Sequence, residues 1–243
     1  MEPAEHLDVL RRGADALLAA SAGALERPVP GCPEWTIADL VGHVGTTWGW
    51  AAEIVTTGQR ATRTPEPPAG SETALLGWAR ERADLVLAAL GAADPDADCW
   101  TFGLPRSRRF WFRRQALETT LHARDAQEAS GPPAPVDPEV AADGVDEYVT
   151  VMIPRWVSRR PEGWDGQTVH LHRTDGDGEW LVRLGPDGTA QVERSHGKGD
   201  LAVRGPAEAL WLWTCNRAGL DEQSVEVFGD RDLAARWTSE ISF

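Results

Sequence analysis

The sequence predicts an α+β protein, with an up-down helical bundle over residues 1–158 followed by a small α/β domain over residues 159–243. The first two thirds of the chain carry apolar residues at helical spacing, interrupted by proline-rich segments. The last third changes to short segments that alternate apolar and polar residues, separated by Asp-Gly turns. A chain of 243 residues is long enough for two small domains with cores of their own.

Helical periodicity predicts five helices in the first part of the chain. Leu7, Leu10 and Leu17 fall on one stripe of the first helix. Thr36 followed by Asp39 is a variant of the capping box and predicts the start of the second helix. Long helices joined by loops, each with one apolar stripe, are typical of an up-down bundle. The predicted helices cover approximately residues 4–25, 36–58, 71–91, 108–130 and 137–153, and a proline-rich loop covers residues 60–70.

Period-two alternation predicts a small sheet in the last third of the chain. A helix interrupts the strands, with Pro206 near its start and Gly219 after its end. A last strand and a last helix complete an α/β domain of modest size. The predicted strands are QTVHLHRTD, EWLVRLG, TAQVERS, DLAVRG and SVEVFGD.

The composition predicts a cytoplasmic protein that binds neither nucleic acid nor membranes. A net charge of −14 repels polyanions, and no stretch approaches the roughly 20 apolar residues that span a bilayer. The acidic, amphipathic N-terminus predicts a first helix and no signal peptide. Three scattered cysteines predict no disulfide framework. A single lysine among 24 basic residues, with abundant Ala, Gly and Pro, is typical of bacteria with GC-rich genomes.

One basic segment departs from this acidic background. Residues 106–114 (RSRRFWFRR) contain five arginines and three aromatic residues, a combination that could grip a phosphate backbone. We favour the alternative, in which arginine stems flank the buried aromatic residues of a helix start and face, at most, a small acidic ligand.

Three side chains form a candidate metal site. Glu118 and His122 are four residues apart, so a helix presents them on the same face. His43 lies near the middle of the second helix, on a face of apolar and small residues. Bundles build metal sites from facing helices, and three such ligands suit zinc with one open position. The spacing alone also fits a solvated Glu/His pair and a hydrogen-bonded core histidine.

The segments around these residues resemble a known family. CPEWTIADLVGHVG (residues 32–45) is similar to the N-terminal signature of the mycothiol-dependent maleylpyruvate isomerase family, within the DinB-like four-helix-bundle superfamily. ALETTLHARDAQEA (residues 116–129) resembles the second block of that family. The resemblance implies that His43, Glu118 and His122 bind the metal. The C-terminal segments resemble the small α/β domain of the family, whose substrate-pocket arginine corresponds to Arg217.

The resemblance implies a zinc-dependent enzyme that activates a low-molecular-weight thiol, mycothiol, against an electrophilic small molecule. In the isomerase reaction the thiolate adds to the double bond of a cis-enedioyl acid, the bond rotates and the thiol leaves. Relatives transfer the thiol permanently as S-transferases. Two alternatives stay open: a zinc-hydroxide hydrolase, and a metal-binding regulatory protein without catalysis. The substrate, the metal and the choice between monomer and homodimer also stay open.

Four other residues are candidates for contact with the cofactor, the substrate or a metal ligand. We expect most of the tryptophans to serve packing. Trp48 and Trp50 are close to His43 and could instead line a pocket, and we expect Trp48 and Arg217 to contact the cofactor. Arg217 could hold a substrate carboxylate in a fork geometry or complete a helix C-terminus. Asp125 could orient a ligand, although the sequence slightly favours a surface carboxylate.

Three further residues bear on metal or thiol chemistry. Cys32 precedes the second helix, where a thiol pKa can fall, but its place beside a proline favours packing. His170 and His172 share one face of a predicted strand and could chelate a metal. With no third ligand evident nearby, we interpret this pair as structural or solvent-facing.

Overall fold

The computed structural model describes the whole chain except residues 63, 65, 160–162, 223, 242 and 243. Residues 63 and 65 of the predicted proline-rich loop therefore lie outside the described part. The chain folds as two compact units, Met1–Ala134 and Pro135–Phe243. Among the described residues, we find no helix whose length and apolar character would suit it to span a bilayer.

The first unit is a helical bundle, and its four long helices confirm the sequence prediction within the described residues. Helix α1 packs mainly on α4, and α2 packs mainly on α3. A short antiparallel hairpin, which the sequence analysis did not predict, leads into α2. The elements are α1 (Pro3–Ser21), β1 (Pro28–Val29), β2 (Cys32–Thr36), α2 (Ile37–Thr57), α3 (Glu72–Gly91) and α4 (Arg109–Ser130).

The start of α2 is held by reciprocal hydrogen bonds. The Asp39 backbone N–H donates to the Thr36 hydroxyl, and the Asp39 carboxylate accepts from the Thr36 backbone N–H at 2.9 Å. These bonds lower the pKa of Asp39 below its usual value, the side-chain hydrogen bond from Thr36 contributing most. The helix ends at Thr57 and is followed by Gly58, whose φ of 73° is the left-handed conformation that glycine adopts without strain. The capping therefore confirms the predicted N-terminus of α2.

The second unit joins helices to a five-stranded sheet. The strand order is β5-β4-β3-β6-β7, with β3 and β6 parallel and the other neighbours antiparallel. Helices α7 and α8 contact the sheet. The elements are α5 (Pro138–Glu147), a π-helical turn (Tyr148–Met152), α6 (Ile153–Val157), β3 (Gln167–Arg173), β4 (Glu179–Leu184), β5 (Ala190–Glu193), β6 (Leu201–Gly205), α7 (Ala207–Thr214), a 3-10 turn (Leu220–Glu222), β7 (Glu226–Gly229) and α8 (Arg231–Glu240).

The fifth predicted helix belongs to the second unit. The sequence predicts this helix as part of the bundle, with the domain boundary between residues 158 and 159. In the structure α5 packs on α7, where the backbone of Gly144 lies directly against the indole of Trp211. Any side chain at Gly144 would overlap that ring. The division therefore falls at Ala134–Pro135, because the apolar stripe of α5 is covered by a helix that comes much later in the sequence.

Candidate metal centre

Three predicted ligands converge between α2 and α4. The Oε1 atom of Glu118 lies 3.2 Å from Nε2 of His43 and 3.4 Å from Nε2 of His122. One ligand atom from each of the three residues lies within 4.8 Å of the other two. His43 reaches this position from the middle of α2, and the other two side chains stand one turn apart on α4. The structure thus brings together the three side chains that the sequence analysis proposed as metal ligands.

Asp125 contacts the ring nitrogen of His122 that faces away from Glu118. Its Oδ2 lies 2.9 Å from Nδ1 of His122, and its side chain is fully buried. The interpretation of Asp125 as a surface carboxylate was wrong. Its spacing of three residues from His122 places both on the buried side of α4. A carboxylate on Nδ1 sets the orientation of the ring and directs Nε2 towards Glu118, as in carboxylate–histidine–metal arrangements.

Arg114 holds the other oxygen of Glu118. Its guanidinium pairs with Oε2 of Glu118 one helical turn later, and both side chains are largely buried. In the sequence, Arg114 belongs to the basic segment 106–114 and is not among the predicted site residues, although its spacing of four residues from Glu118 is a usable signal. Because Oε2 is occupied, Glu118 offers Oε1 as a single ligand atom.

The indole of Trp35 covers both imidazoles. Its ring centroid lies 4.9 Å from that of His43 and 6.3 Å from that of His122. Strand β2 carries Trp35 to this position, so the unpredicted hairpin contributes one wall of the centre. The side chain of His122 is 7% exposed and that of His43 is 39% exposed. The cluster is therefore enclosed on the α4 side and accessible on the α2 side.

A cavity adjoins the exposed side of the cluster. Its volume of about 670 Å³ is within the size range of small-molecule sites. On α2 the cavity is lined by His43, Asp39 and Thr46. Arg27 adds a positive charge to its wall, and the loop before α3 contributes Pro67 and other residues. A molecule in this cavity would touch the imidazole of His43 directly.

The remaining predicted site residues lie elsewhere. Trp48 is fully buried, and its indole N–H donates to the Thr119 hydroxyl at 2.8 Å, a geometry that favours a core role. Trp50 packs edge-on against the rings of Trp111 and Trp100. The ligand contact expected of Trp48 stays a prediction, and Trp35 is the tryptophan that lies against the cluster.

Two further candidates from the sequence are Arg217 and Cys32. Arg217 lies in the second unit, after α7, where its guanidinium donates to the carbonyl oxygen of Cys215 at 3.0 Å. Its expected role in binding substrate stays a prediction. Cys32 lies half-buried on β2 and forms no disulfide within the described part of the chain.

The donor set fits a zinc-type ion. Two imidazole nitrogens and one carboxylate oxygen are borderline ligands that zinc accepts, and three protein ligands leave a fourth position open. The carboxylate of Asp125 on His122 and the guanidinium of Arg114 on Glu118 supply the outer contacts that metal ligands commonly have. The chemistry of the residues and their support are therefore consistent with a catalytic type of site.

These features define a class of protein in which a four-helix bundle with a His/Glu/His cluster precedes a small α/β unit. A family model described as the mycothiol maleylpyruvate isomerase N-terminal domain matches residues 6–127. A second model, described as the MDMPI C-terminal domain, matches residues 139–236. The chain belongs to the mycothiol-dependent maleylpyruvate isomerase family, as the resemblance in the sequence had indicated.

Solved structures show the same fold. The crystal structure of the mycothiol-dependent maleylpyruvate isomerase aligns with a TM-score of 0.61 at 13% identity and covers 93% of both chains. A histidine-to-alanine mutant of that enzyme aligns with a TM-score of 0.61 at 14% identity and the same coverage. No curated protein matches the chain. At these identities the likeness demonstrates a common fold.

Proposed function

We propose that this protein is a zinc-dependent enzyme that activates a low-molecular-weight thiol, mycothiol, for addition to an electrophilic small molecule. The reaction is a cis–trans isomerisation of the maleylpyruvate type or a thiol S-transfer. The observation that carries the proposal is the convergence of His43, Glu118 and His122 beside an open cavity.

The thiol explains why a metal centre is useful. A free thiol has a pKa of about 8.5 and is mostly protonated at neutral pH, whereas the thiolate is the nucleophile. A zinc ion supplies, when bound, the positive charge that favours the thiolate. The side chains of the protein hold the ligand atoms, and Asp125 fixes the ring of His122 so that Nε2 faces the centre.

The chemistry balances without a further reactant. In the isomerisation, the sulfur forms a bond to one carbon of the double bond, the remaining single bond rotates, and the carbon–sulfur bond breaks to return the thiol. In the S-transfer, the thiol adds across the double bond: the sulfur bonds to one carbon, the thiol proton goes to the other, and the adduct is the product. The cavity supports either course, since its volume suits a small molecule and His43 lines it. Family membership favours mycothiol as the thiol.

Arg217 is proposed as the residue that binds a substrate carboxylate. This role rests on the resemblance to the family. A guanidinium can form two parallel hydrogen bonds to a carboxylate, and lysine cannot reproduce that geometry. If the role is correct, Arg217→Lys raises the KM for the acidic substrate while the KM for the thiol stays unchanged.

The test compares two carboxylates on α4. Purified protein loaded with zinc is assayed with mycothiol and maleylpyruvate, as wild type, Glu118→Gln and Glu128→Gln. We expect thiol-dependent turnover in the wild type, a loss of at least about 100-fold in Glu118→Gln, and near-normal activity in Glu128→Gln, because Glu128 pairs with Arg124 away from the cluster.

Two results would contradict the proposal. Turnover that continues undiminished without any thiol would favour a hydrolase. Binding of zinc by wild type without activity towards any thiol–electrophile pair would favour a regulatory protein.

A further inference from the structure

A second cluster of metal-ligand side chains lies on the sheet of the second unit. His170 and His172 stand on the same face of β3, and Glu179 at the start of β4 pairs directly with His172. His196 comes from the segment that connects β5 with β6. One ligand atom from each of the four residues lies within 4.8 Å of the other three. The interpretation of the two strand histidines as a pair without a third ligand was therefore wrong.

The carboxylate of Glu179 lies at the centre of the cluster. Its Oε2 is 3.1 Å from Nε2 of His170 and 2.7 Å from Nδ1 of His196, and its Oε1 is 3.1 Å from Nδ1 of His172. Burial would raise the pKa of Glu179, but hydrogen bonds from His196 and His170 outweigh this effect and lower the pKa. One carboxylate thus contacts all three imidazoles of the cluster.

The strand order explains why His196 lies beside the histidines of β3. Because β6 lies beyond β4 and β3 from β5, the connecting segment must cross those two strands. It lies close to them: a Cβ at Gly197 would stand 2.8 Å from the Leu181 side chain, and a Cβ at Gly199 would stand 3.1 Å from Cβ of His170. The two glycines allow this approach, which brings the imidazole of His196 over Glu179.

The cluster has the composition of a closed zinc site. Three imidazoles and one carboxylate provide four ligands, the number found in structural zinc sites, where bonds of about 2.0–2.2 Å leave no position open. Half of the six histidines of the chain are gathered here. The side chain of His170 is 7% exposed and that of His196 is 79% exposed, so a metal can enter from solvent and the outermost ligand can turn inward.

We propose that His170, His172, Glu179 and His196 form a second, structural binding site for a divalent transition metal of the zinc type. The metal fastens the segment between β5 and β6 to the face of β3 and β4. This site is independent of the thiol chemistry proposed for the bundle, since all four ligands belong to the second unit.

The test separates the two sites by stoichiometry. Full-length protein is stripped of metal, titrated with zinc alone and measured by calorimetry and elemental analysis, in four forms: wild type, His43→Ala, His196→Ala and Lys198→Ala. We expect two zinc ions in wild type and Lys198→Ala, and one in each histidine variant. Lys198 is the matched control because it is exposed on the same segment. Loss of an outer contact already weakens metal sites about 10–100-fold, so His196→Ala should weaken the second site by at least that factor.

The melting temperature provides a second measurement, which does not depend on the number of zinc ions bound. In the His43→Ala background, zinc should raise the melting temperature, and adding His196→Ala should abolish the rise. The exposed position of His196 makes a folding defect in that variant unexpected, and circular dichroism verifies this. Equal zinc stoichiometry and affinity in wild type and His196→Ala would overturn the second site and leave a hydrogen-bonded cluster. Loss of zinc only in His43→Ala would overturn it too, while leaving the thiol enzyme intact.

Discussion

At the scale of single residues, the candidate metal centre depends on side chains that do not face the metal position. Asp125 holds His122, and Arg114 holds Glu118. Asp125 and Arg114 each lie one helical turn from the residue that they contact. Helix α4 therefore carries both the proposed ligands and the residues that hold them. The proposed ligands are thus held in place by contacts within the protein, and such preorganisation would reduce the loss of side-chain entropy on metal binding.

Removal of the Asp125 charge should weaken the centre without dismantling it. Asp125→Asn keeps the shape of the buried side chain and loses the ionic partner of His122. We expect zinc to bind this centre about 10–100-fold more weakly, measured by competition with a coloured chelator in the His196→Ala background. Glu128→Gln in the same background serves as the control. Unchanged affinity in Asp125→Asn would mean that the carboxylate has no part in orienting His122.

At this scale the signal in the sequence was chemical, and the assignment of metal ligands stays a prediction. His43, Glu118 and His122 were proposed from spacing and resemblance, and the structure brings them together. The position of Trp35 against the imidazoles and the burial of Asp125 were not predicted, since both depend on which side of α4 faces the rest of the bundle. Spacing along a helix indicates which residues share a face, but it does not indicate what covers that face.

At the scale of elements, a cap stabilises the helix that carries His43. Thr36 and Asp39 satisfy backbone and side-chain groups at the first turn of α2. His43 lies seven residues after Thr36, two turns further along the same helix.

The stability of this capping should depend on pH. The pKa of Asp39 is lowered in the folded protein, so the folded state binds fewer protons there than the unfolded state. Its contribution is therefore complete above the unfolded pKa of about 4 and is lost as the pH falls below it. Asp39→Asn should lower the free energy of unfolding by about 1 kcal/mol or less at pH 7. Denaturation at pH 7 and pH 3 measures it, and the difference between the two proteins should shrink at pH 3.

Two helical glycines should respond in opposite ways to alanine. In α2, Gly45 lies against the ring of Trp78, and an added Cβ would overlap it. In α3, a Cβ at Gly77 meets nothing within 4 Å. Alanine favours a helix by roughly 0.5–1 kcal/mol, whereas overpacking costs about 1–3 kcal/mol.

Gly77→Ala should therefore stabilise the protein by about 0.5–1 kcal/mol, and Gly45→Ala should destabilise it by up to about 2.5 kcal/mol after the helical gain is subtracted. Thermal or chemical denaturation distinguishes them. If both variants gained stability, the contact between α2 and Trp78 would be looser than the structure indicates.

At the scale of the whole molecule, the chain separates its two candidate metal sites into two units. The ligands of the first site all lie within Met1–Ala134, and those of the second all lie within Pro135–Phe243. Each unit has its own core, so a metal bound to one unit should stabilise that unit first.

Hydrogen exchange measures this selectivity. In the His196→Ala variant, where one site remains, zinc should slow amide exchange mainly in α2 and α4, which supply its ligands. Glu118→Gln added to that variant should remove the effect. Protection that rises mainly in the strands of the second unit would contradict the assignment of the remaining ligands.

The sequence by itself determined the α+β class, the long helices and strands, the family and the three side chains that meet in the first cluster, because periodicity, capping and short motifs are local properties of a chain; their role as metal ligands stays a prediction. Only the tertiary structure decided that α5 belongs with α7, that Asp125 is buried behind His122, and that His196 and Glu179 complete a cluster with His170 and His172. Each of these facts depends on which surfaces cover one another after the chain has folded. Residues far apart in sequence then share one environment, and no local pattern encodes that pairing.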